Sequence, residues 1–339
     1  MSGRAVRWLW SLLRPALPAS GREPRLTILR HHRVYPNGAR PLYRLGVSAA
    51  VLEAQVAMLR GLGLGPCTVE EGLAHLAEGR PGQWVAMTFD DGYADNVERA
   101  LPILEAAGSR ATFYLTAGLI EERRAPWWDR VVHALERARR PALQGSWDDS
   151  GRARPLRDAR ERRRALPAVL RRLRAGPAEQ DARLRSLEAM LEVESQAPCE
   201  LATWDQARVL VEAGMEIGAH TWSHPFLDRL DRAGQEREIG SSLRMIEQRL
   251  GARVSGLAYP GGAYDAVSIE VARCSGLAYA VTTRAGDNGP ATEPFALRRR
   301  GFDEGMCLGP DGRFSRRLAR AELDGAFDAL RGVRQEATA

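Results

Sequence analysis

The sequence predicts an α/β protein in which about seven parallel strands close into a barrel. Short apolar runs rich in β-branched and aromatic residues recur at 26–29, 84–89, 111–115, 215–219, 256–259, 278–282 and 295–298. Between several of them lie stretches of helical spacing with recognisable ends. The stretch 48–62 opens on Ser48 and stops at Gly61 or Gly63, 96–107 stops at Gly108, and 235–250 stops at Gly251. Strands alternating with helices need crossover connections, which make neighbouring strands parallel. In such a barrel the functional groups belong at the C-terminal strand ends.

Around this frame the chain divides into an N-terminal segment (1–22), a barrel (23–305) and a helical C-terminal tail (306–339). The alternation breaks once: residues 121–200 are arginine-rich and helical in pattern, and read as an insertion between the strands near Phe113 and Ile217. Its arginine runs read as a solvated helix face, with anion binding as the alternative. The N-terminal segment places Trp8, Leu9, Trp10, Leu12 and Leu13 after an arginine-bearing start. Arg14 and Pro15 interrupt it too early for a signal peptide, leaving a short amphipathic surface segment or a helix packed on the domain.

Composition adds little about partners. The chain has 339 residues, 44% of them hydrophobic, and a net charge of +6 in which every side-chain cation is arginine. A GC-rich genome produces that bias without any functional demand, although anionic glycans, lipid head groups or nucleic acid would also suit it. No stretch approaches the ~20 apolar residues of a transmembrane helix. The four cysteines are far apart and lack CxxC spacing, so reduced thiols and a cytoplasmic location are expected, with a peripheral membrane contact through the N-terminus.

Two short motifs carry chemistry. The first is TFDDGY at 88–93, directly after an apolar run. Adjacent carboxylates at a strand end repel unless a cation neutralises one of them. A divalent metal on one aspartate would do so and leave the other free to take a proton, whereas an Asx turn closing the strand needs neither. The second is HTWSHP at 220–225, after the run at 215–219. Histidines four residues apart reach one ion if the chain turns helically, and with one carboxylate they form a three-ligand site with open positions.

Paired in this order, TFDDGY and HTWSHP resemble the signatures of the polysaccharide deacetylase family, the NodB-homology domain. The resemblance runs from about Arg25 to Phe302. It implies a distorted (β/α) barrel, with seven strands here, and a metal-dependent hydrolase site. Asp91, His220 and His224 would be metal ligands and Asp90 the catalytic base. Zn2+ is the first expectation for the ion, although other divalent ions suit the same donors.

Elsewhere this chain departs from the family pattern. The arginine of the usual RxPYG motif is replaced by Ala258, ahead of Tyr259, Pro260, Gly261 and Gly262. Arg298, Arg299 or Arg300 could supply the cation beside the base, with a surface arginine cluster as the alternative, and Arg298 is taken as the candidate. No histidine follows His224, so the usual C-terminal acid is absent. Permuted members carry YHxV at an N-terminal strand end, where this chain has His31-His32-Arg33-Val34, and His32 becomes the expected general acid. Tyr259, Pro260, Gly262, Trp127 and Trp128 are the substrate-contact candidates. The resemblance implies an N-acetylated glycan or glycolipid substrate and no nucleic-acid partner. The alternatives are a small-amide hydrolase on the same fold and a degenerate, non-catalytic carbohydrate-binding protein.

Overall fold

A computed structural model describes residues 23–147 and 151–328. Seven parallel strands form one curled sheet: β1 (Arg25–His31), β2 (Gln83–Phe89), β3 (Thr112–Leu115), β4 (Glu216–Ala219), β5 (Gly256–Ala258), β6 (Tyr279–Val281) and β7 (Arg300–Gly301). Their spatial order is β6-β5-β4-β3-β2-β1-β7. β1 and β2 pair in register over the whole of Arg25–His31 against Gln83–Phe89. Just ahead of β7, Leu297 donates to Ala280 O (3.0 Å) and its carbonyl accepts from Thr282 N (2.8 Å). The segment entering β7 thus spans the two edges of the sheet, so the barrel closes without a long final strand.

Side chains alternate across each strand, as the pleat requires. Val85, Met87, Phe89, Phe113, Leu115, Ile217 and Leu257 face the outer helices in one core cluster. Leu26, Ile28, Ala86, Tyr114, Ala258, Tyr279 and Val281 form a second cluster inside the barrel. The outer layer includes α1 (Ala49–Gly61), α2 (Val69–Ala77), α3 (Leu101–Ala106) and α4 (Ala117–Glu121). Four helices, α5 (Trp127–Arg137), α6 (Ala159–Arg172), α7 (Pro177–Met190) and α8 (Trp204–Glu212), follow before β4, and then α9 (Arg232–Leu250), α10 (Ala266–Cys274), α11 (Glu304–Cys307) and α12 (Arg316–Leu323). α5 to α7 pack around their own small core, which includes Leu135, Val169, Leu184 and Leu187.

The barrel interior is filled from above by aromatic side chains, and two glycines make the room. A Cβ on Gly218 would sit 2.3 Å from Tyr114 Cδ1, and one on Gly256 would sit 2.1 Å from Tyr279 Cζ. Tyr114 Oη donates to Tyr279 Oη (3.2 Å), and Tyr279 donates in turn to Glu216 at the lower end of β4.

Several sequence expectations shift. The expected strand at 295–298 is replaced by a 3-10 turn, Pro294–Ala296, with the strand following at Arg300–Gly301. Pro294 has no N–H to give a ladder, and Glu293 caps the turn by accepting from Phe295 N (3.2 Å). The stretch 96–107 opens as a wider turn, Asn96–Ala100, because Pro102 cannot make the next helical hydrogen bond. Ser48 precedes α1, but its hydroxyl donates to Glu304 (2.7 Å) instead of capping. The N-terminal segment and the end of the C-terminal tail lie outside the described residues. Among those described, no helix is long and apolar enough to cross a membrane.

Gly256→Ala and Gly218→Ala should each destabilise the fold by about 1–3 kcal/mol through overpacking against the tyrosine pair. Urea denaturation followed by circular dichroism measures this, and unchanged midpoints would mean the barrel interior has slack.

Candidate metal centre and catalytic cleft

Because the strands are parallel, their C-terminal ends converge on one mouth. β1 delivers His32, β2 delivers Asp90 and Asp91, β4 delivers His220, and the entry to β7 delivers Arg299. Asp91, His220 and His224 are all buried, with one donor atom from each lying within 4.8 Å of the others. His220 Nε2 and His224 Nε2 stand 3.4 and 3.6 Å from Asp91 Oδ1. Donors about 2.0–2.1 Å from a tetrahedral ion stand roughly 3.4 Å apart, so the spacing suits a shared cation. His220 Nδ1 faces Ala258 O at 2.6 Å, which turns Nε2 toward Asp91. Trp128 packs against the His224 ring at 4.2 Å.

The two histidines do not lie on a helix, contrary to the simplest reading of their spacing. Thr221 (φ 65°) and His224 (φ 60°) adopt left-handed backbone, and so does Asp91 (φ 78°). Only five non-glycine residues among those described have positive φ. Three of them meet here, the clustering expected where function demands strained backbone. The loop is held by Thr221 Oγ1 accepting from His224 N (3.1 Å) and by Glu238 accepting from Ser223 N and Oγ (2.8 and 2.7 Å).

The two aspartates have different partners. Arg299, 1% exposed, forks onto Asp90, 2% exposed, with Nη1–Oδ1 2.6 Å and Nη2–Oδ2 2.8 Å. Arg299 Nε donates to Thr282 O (2.8 Å), Nη1 also reaches Thr88 Oγ1 (3.1 Å), and the Tyr114 ring lies beneath at 5.7 Å. Burial would raise Asp90, but the Arg299 charge and hydrogen bonds hold it well below the usual carboxylate range. Asp91 has no such fork. Burial pushes His220 down, but the facing Asp91 and Asp90 more than offset it, so the trio demands one positive charge. Burial and the neighbouring His220 push His224 down to about 3, leaving it neutral with a lone pair to offer.

Arg298, the expected partner of the base, is not the residue on Asp90. Its backbone pairs with the Asn288 side chain (2.8 and 2.9 Å), while Arg300 is directed to Asp287 and Asp328 (3.0 and 2.6 Å). Successive residues of extended chain face opposite ways, so only the middle arginine of the three turns inward.

His32 Nε2 lies 3.9 Å from Asp90 Oδ2, with its Nδ1 buried and without a hydrogen-bond partner. Burial lowers its pKa, against the pull of Asp91 and Asp90, so it rests neutral. Its loop is tied to the residues that follow TFDDGY. Asn96 donates to His32 O (2.7 Å), and Asp95 accepts from Arg33 Nε (2.8 Å) and Val34 N (3.0 Å).

A cleft of about 530 Å3 opens over these groups. Trp127, Tyr259 and Gly261 line it, whereas Pro260 and Gly262 do not. The Tyr259 hydroxyl turns away and donates to Phe295 O (3.0 Å). Gly262 serves the turn instead: it has φ 70°, and a Cβ there would lie 2.1 Å from Thr283 Oγ1. Trp128 also lines the cleft, and its indole donates to Tyr93 Oη (2.7 Å), which donates to Asp129 (3.0 Å). The sequence reading missed Arg30, Tyr43, Phe226 and the end of α6, all of which line the cleft. Of these only α6 carried a signal, its arginine runs.

The chain matches the family model described as Polysaccharide deacetylase over residues 77–280, more than half its length. YxkH of Bacillus subtilis (strain 168), named as a polysaccharide deacetylase, is 21% identical over 284 residues, 83% of this chain and 73% of that protein. Among solved structures, the Streptococcus pyogenes deacetylase PplD in complex with acetate aligns with TM-score 0.56 and 18% identity, covering 85% of this chain and 96% of that one. IcaB from Ammonifex degensii aligns with TM-score 0.54 and 20% identity, covering 89% and 97%. At these identities the structural likeness is one of fold, that of a (β/α)-barrel deacetylase. The family match takes in both aspartates and both histidines, and this chain belongs to the polysaccharide deacetylase family.

Proposed function

We propose that the protein is a metal-dependent hydrolase that removes N-acetyl groups from an amino-sugar-containing polysaccharide or glycolipid. The observation carrying this reading is the unequal treatment of the two adjacent aspartates: Asp90 is neutralised by Arg299, while Asp91 faces His220 and His224. A binding module has no need of a second carboxylate kept permanently ionised beside a cation site. The family model that the chain matches is that of polysaccharide deacetylases, which favours an acetylated glycan over a small amide.

Asp91, His220 and His224 would hold a divalent ion, with Zn2+ the first choice for one carboxylate and two imidazoles. When bound, that ion acidifies water and stabilises the oxyanion of a tetrahedral intermediate. Asp90, kept ionised by Arg299, accepts the proton as water attacks the acetyl carbon. The C–N bond then breaks, giving acetate and a free amine, and the nitrogen takes up a proton. His32 starts neutral, so it can only pass on a proton received during attack, and Asp90 at 3.9 Å is placed to supply it. Trp127 at the cleft wall offers a face for a sugar ring.

Acetate release from a panel of N-acetylated glycans, with and without chelator, tests the reading. Activity indifferent to chelator would rule it out. Asp90→Asn should lower kcat by about 10²–10⁴-fold and His32→Ala by about 10²-fold, with folding checked by circular dichroism. Near-normal turnover in either removes that residue's role. The pH profile reports on Arg299. Asp90 works ionised, so wild-type activity should show no loss on acidification to about pH 5 that traces to Asp90. In Arg299→Gln its pKa rises, and kcat/KM should fall as pH drops through a limb displaced upward. An unmoved profile would mean Arg299 does not set the base.

A further inference from the structure

Two arginines in the cleft, the half-buried Arg30 and the exposed Arg174, face no carboxylate among the described residues. Arg30, at the end of β1, and Arg174, just past α6, both line the cleft. Among the described residues neither guanidinium makes an ion pair or a hydrogen bond. Arg174 lies over the Phe226 ring at 4.6 Å. Arg30 is half-buried, and burial, then the charge of Arg299, lower its pKa, while Asp90 and Asp303 act on it only from a distance.

Several arginines outside the cleft are paired with carboxylates, although Arg137, Arg160 and Arg164 on the solvent side of the same helices are not. Arg130 is paired with Glu188, Arg140 with Glu192 and Arg157 with Glu161. The cleft also has no carboxylate to spare, since Asp90 is neutralised by Arg299 and Asp91 faces the histidines. A neutral acetylated sugar entering here would further desolvate Arg30 with nothing to compensate, which is costly. An oxyanion would satisfy a guanidinium through charge-assisted, bidentate hydrogen bonds.

We infer that the substrate is anionic: an N-acylated amino sugar that also carries a phosphate or carboxylate, read by Arg30 and Arg174. This rests on the deacetylase reading and narrows its substrate class. It also gives the helices between β3 and β4 a task, because α6 brings Arg174 to the mouth of a barrel that supplies only Arg30.

Acetate release by the metal-loaded protein is compared for a neutral N-acetylglucosamine oligomer, an oligomer alternating N-acetylglucosamine with glucuronate, and an N-acetylglucosamine 1-phosphate diester. One charged substrate should exceed the neutral oligomer in kcat/KM by about tenfold or more, with an advantage that shrinks as salt rises. The better of the two separates phosphate from carboxylate. Arg174→Gln and Arg30→Gln should each cut that advantage about tenfold, while Arg174→Lys keeps part of it. A preference for the neutral oligomer, or an advantage surviving in both variants, overturns the inference. If no substrate releases acetate, it is the deacetylase reading that fails, and the anion site is read by titrating inorganic phosphate and glucuronate against tryptophan fluorescence. Binding about tenfold weaker in Arg174→Gln and Arg30→Gln upholds the inference, and equal binding overturns it.

Discussion

The buried fork between Arg299 and Asp90 is the constraint on which the rest of the mouth depends. Two charges this deeply buried persist only when geometry and surrounding hydrogen bonds are nearly complete. Two of the three remaining N–H donors of Arg299 are accordingly used, by Thr282 O and by Thr88 Oγ1, which itself donates to Leu29 O (3.0 Å). The fork crosslinks the entry of β7 to the end of β2, on either side of β1. It therefore helps close the barrel at the point where strand pairing is shortest.

The same fork divides labour between adjacent carboxylates. Neutralising Asp90 from within the protein leaves Asp91 as the one that demands an outside cation, and the neutral His224 and the oriented His220 complete the donors. The chemistry exacts something in return. A carboxylate held so far below its ordinary pKa is reliably ionised but a weak base, so it needs a water already acidified before it can accept a proton. In the proposed reaction the candidate ion-binding trio and Asp90 would thus act as one device.

Much of this was legible in the sequence. The alternation of short apolar runs with capped helical stretches specified a parallel barrel, and TFDDGY with HTWSHP located the site. What escaped had physical causes. Three consecutive arginines look alike until the pleat sorts them, and Arg299 faces inward only because Arg298 and Arg300 face elsewhere. The spacing of His220 and His224 suggested a helix, whereas left-handed Thr221 and His224 reach a compatible arrangement through a strained loop. Ala258 hid a contribution because its carbonyl, not its side chain, orients His220. The cleft wall formed by α6 depends on how distant segments pack, which local patterning does not encode.

The central claim is that Asp91, His220 and His224 form one cation site. It is tested most directly by measuring Zn2+ uptake calorimetrically in chelator-stripped protein, for wild type, Asp91→Asn and His220→Ala. The account predicts one ion per chain in the wild type, with affinity lowered severely in both variants while the far-ultraviolet circular dichroism is retained. Undiminished binding in either variant, or no binding in the wild type, would contradict it.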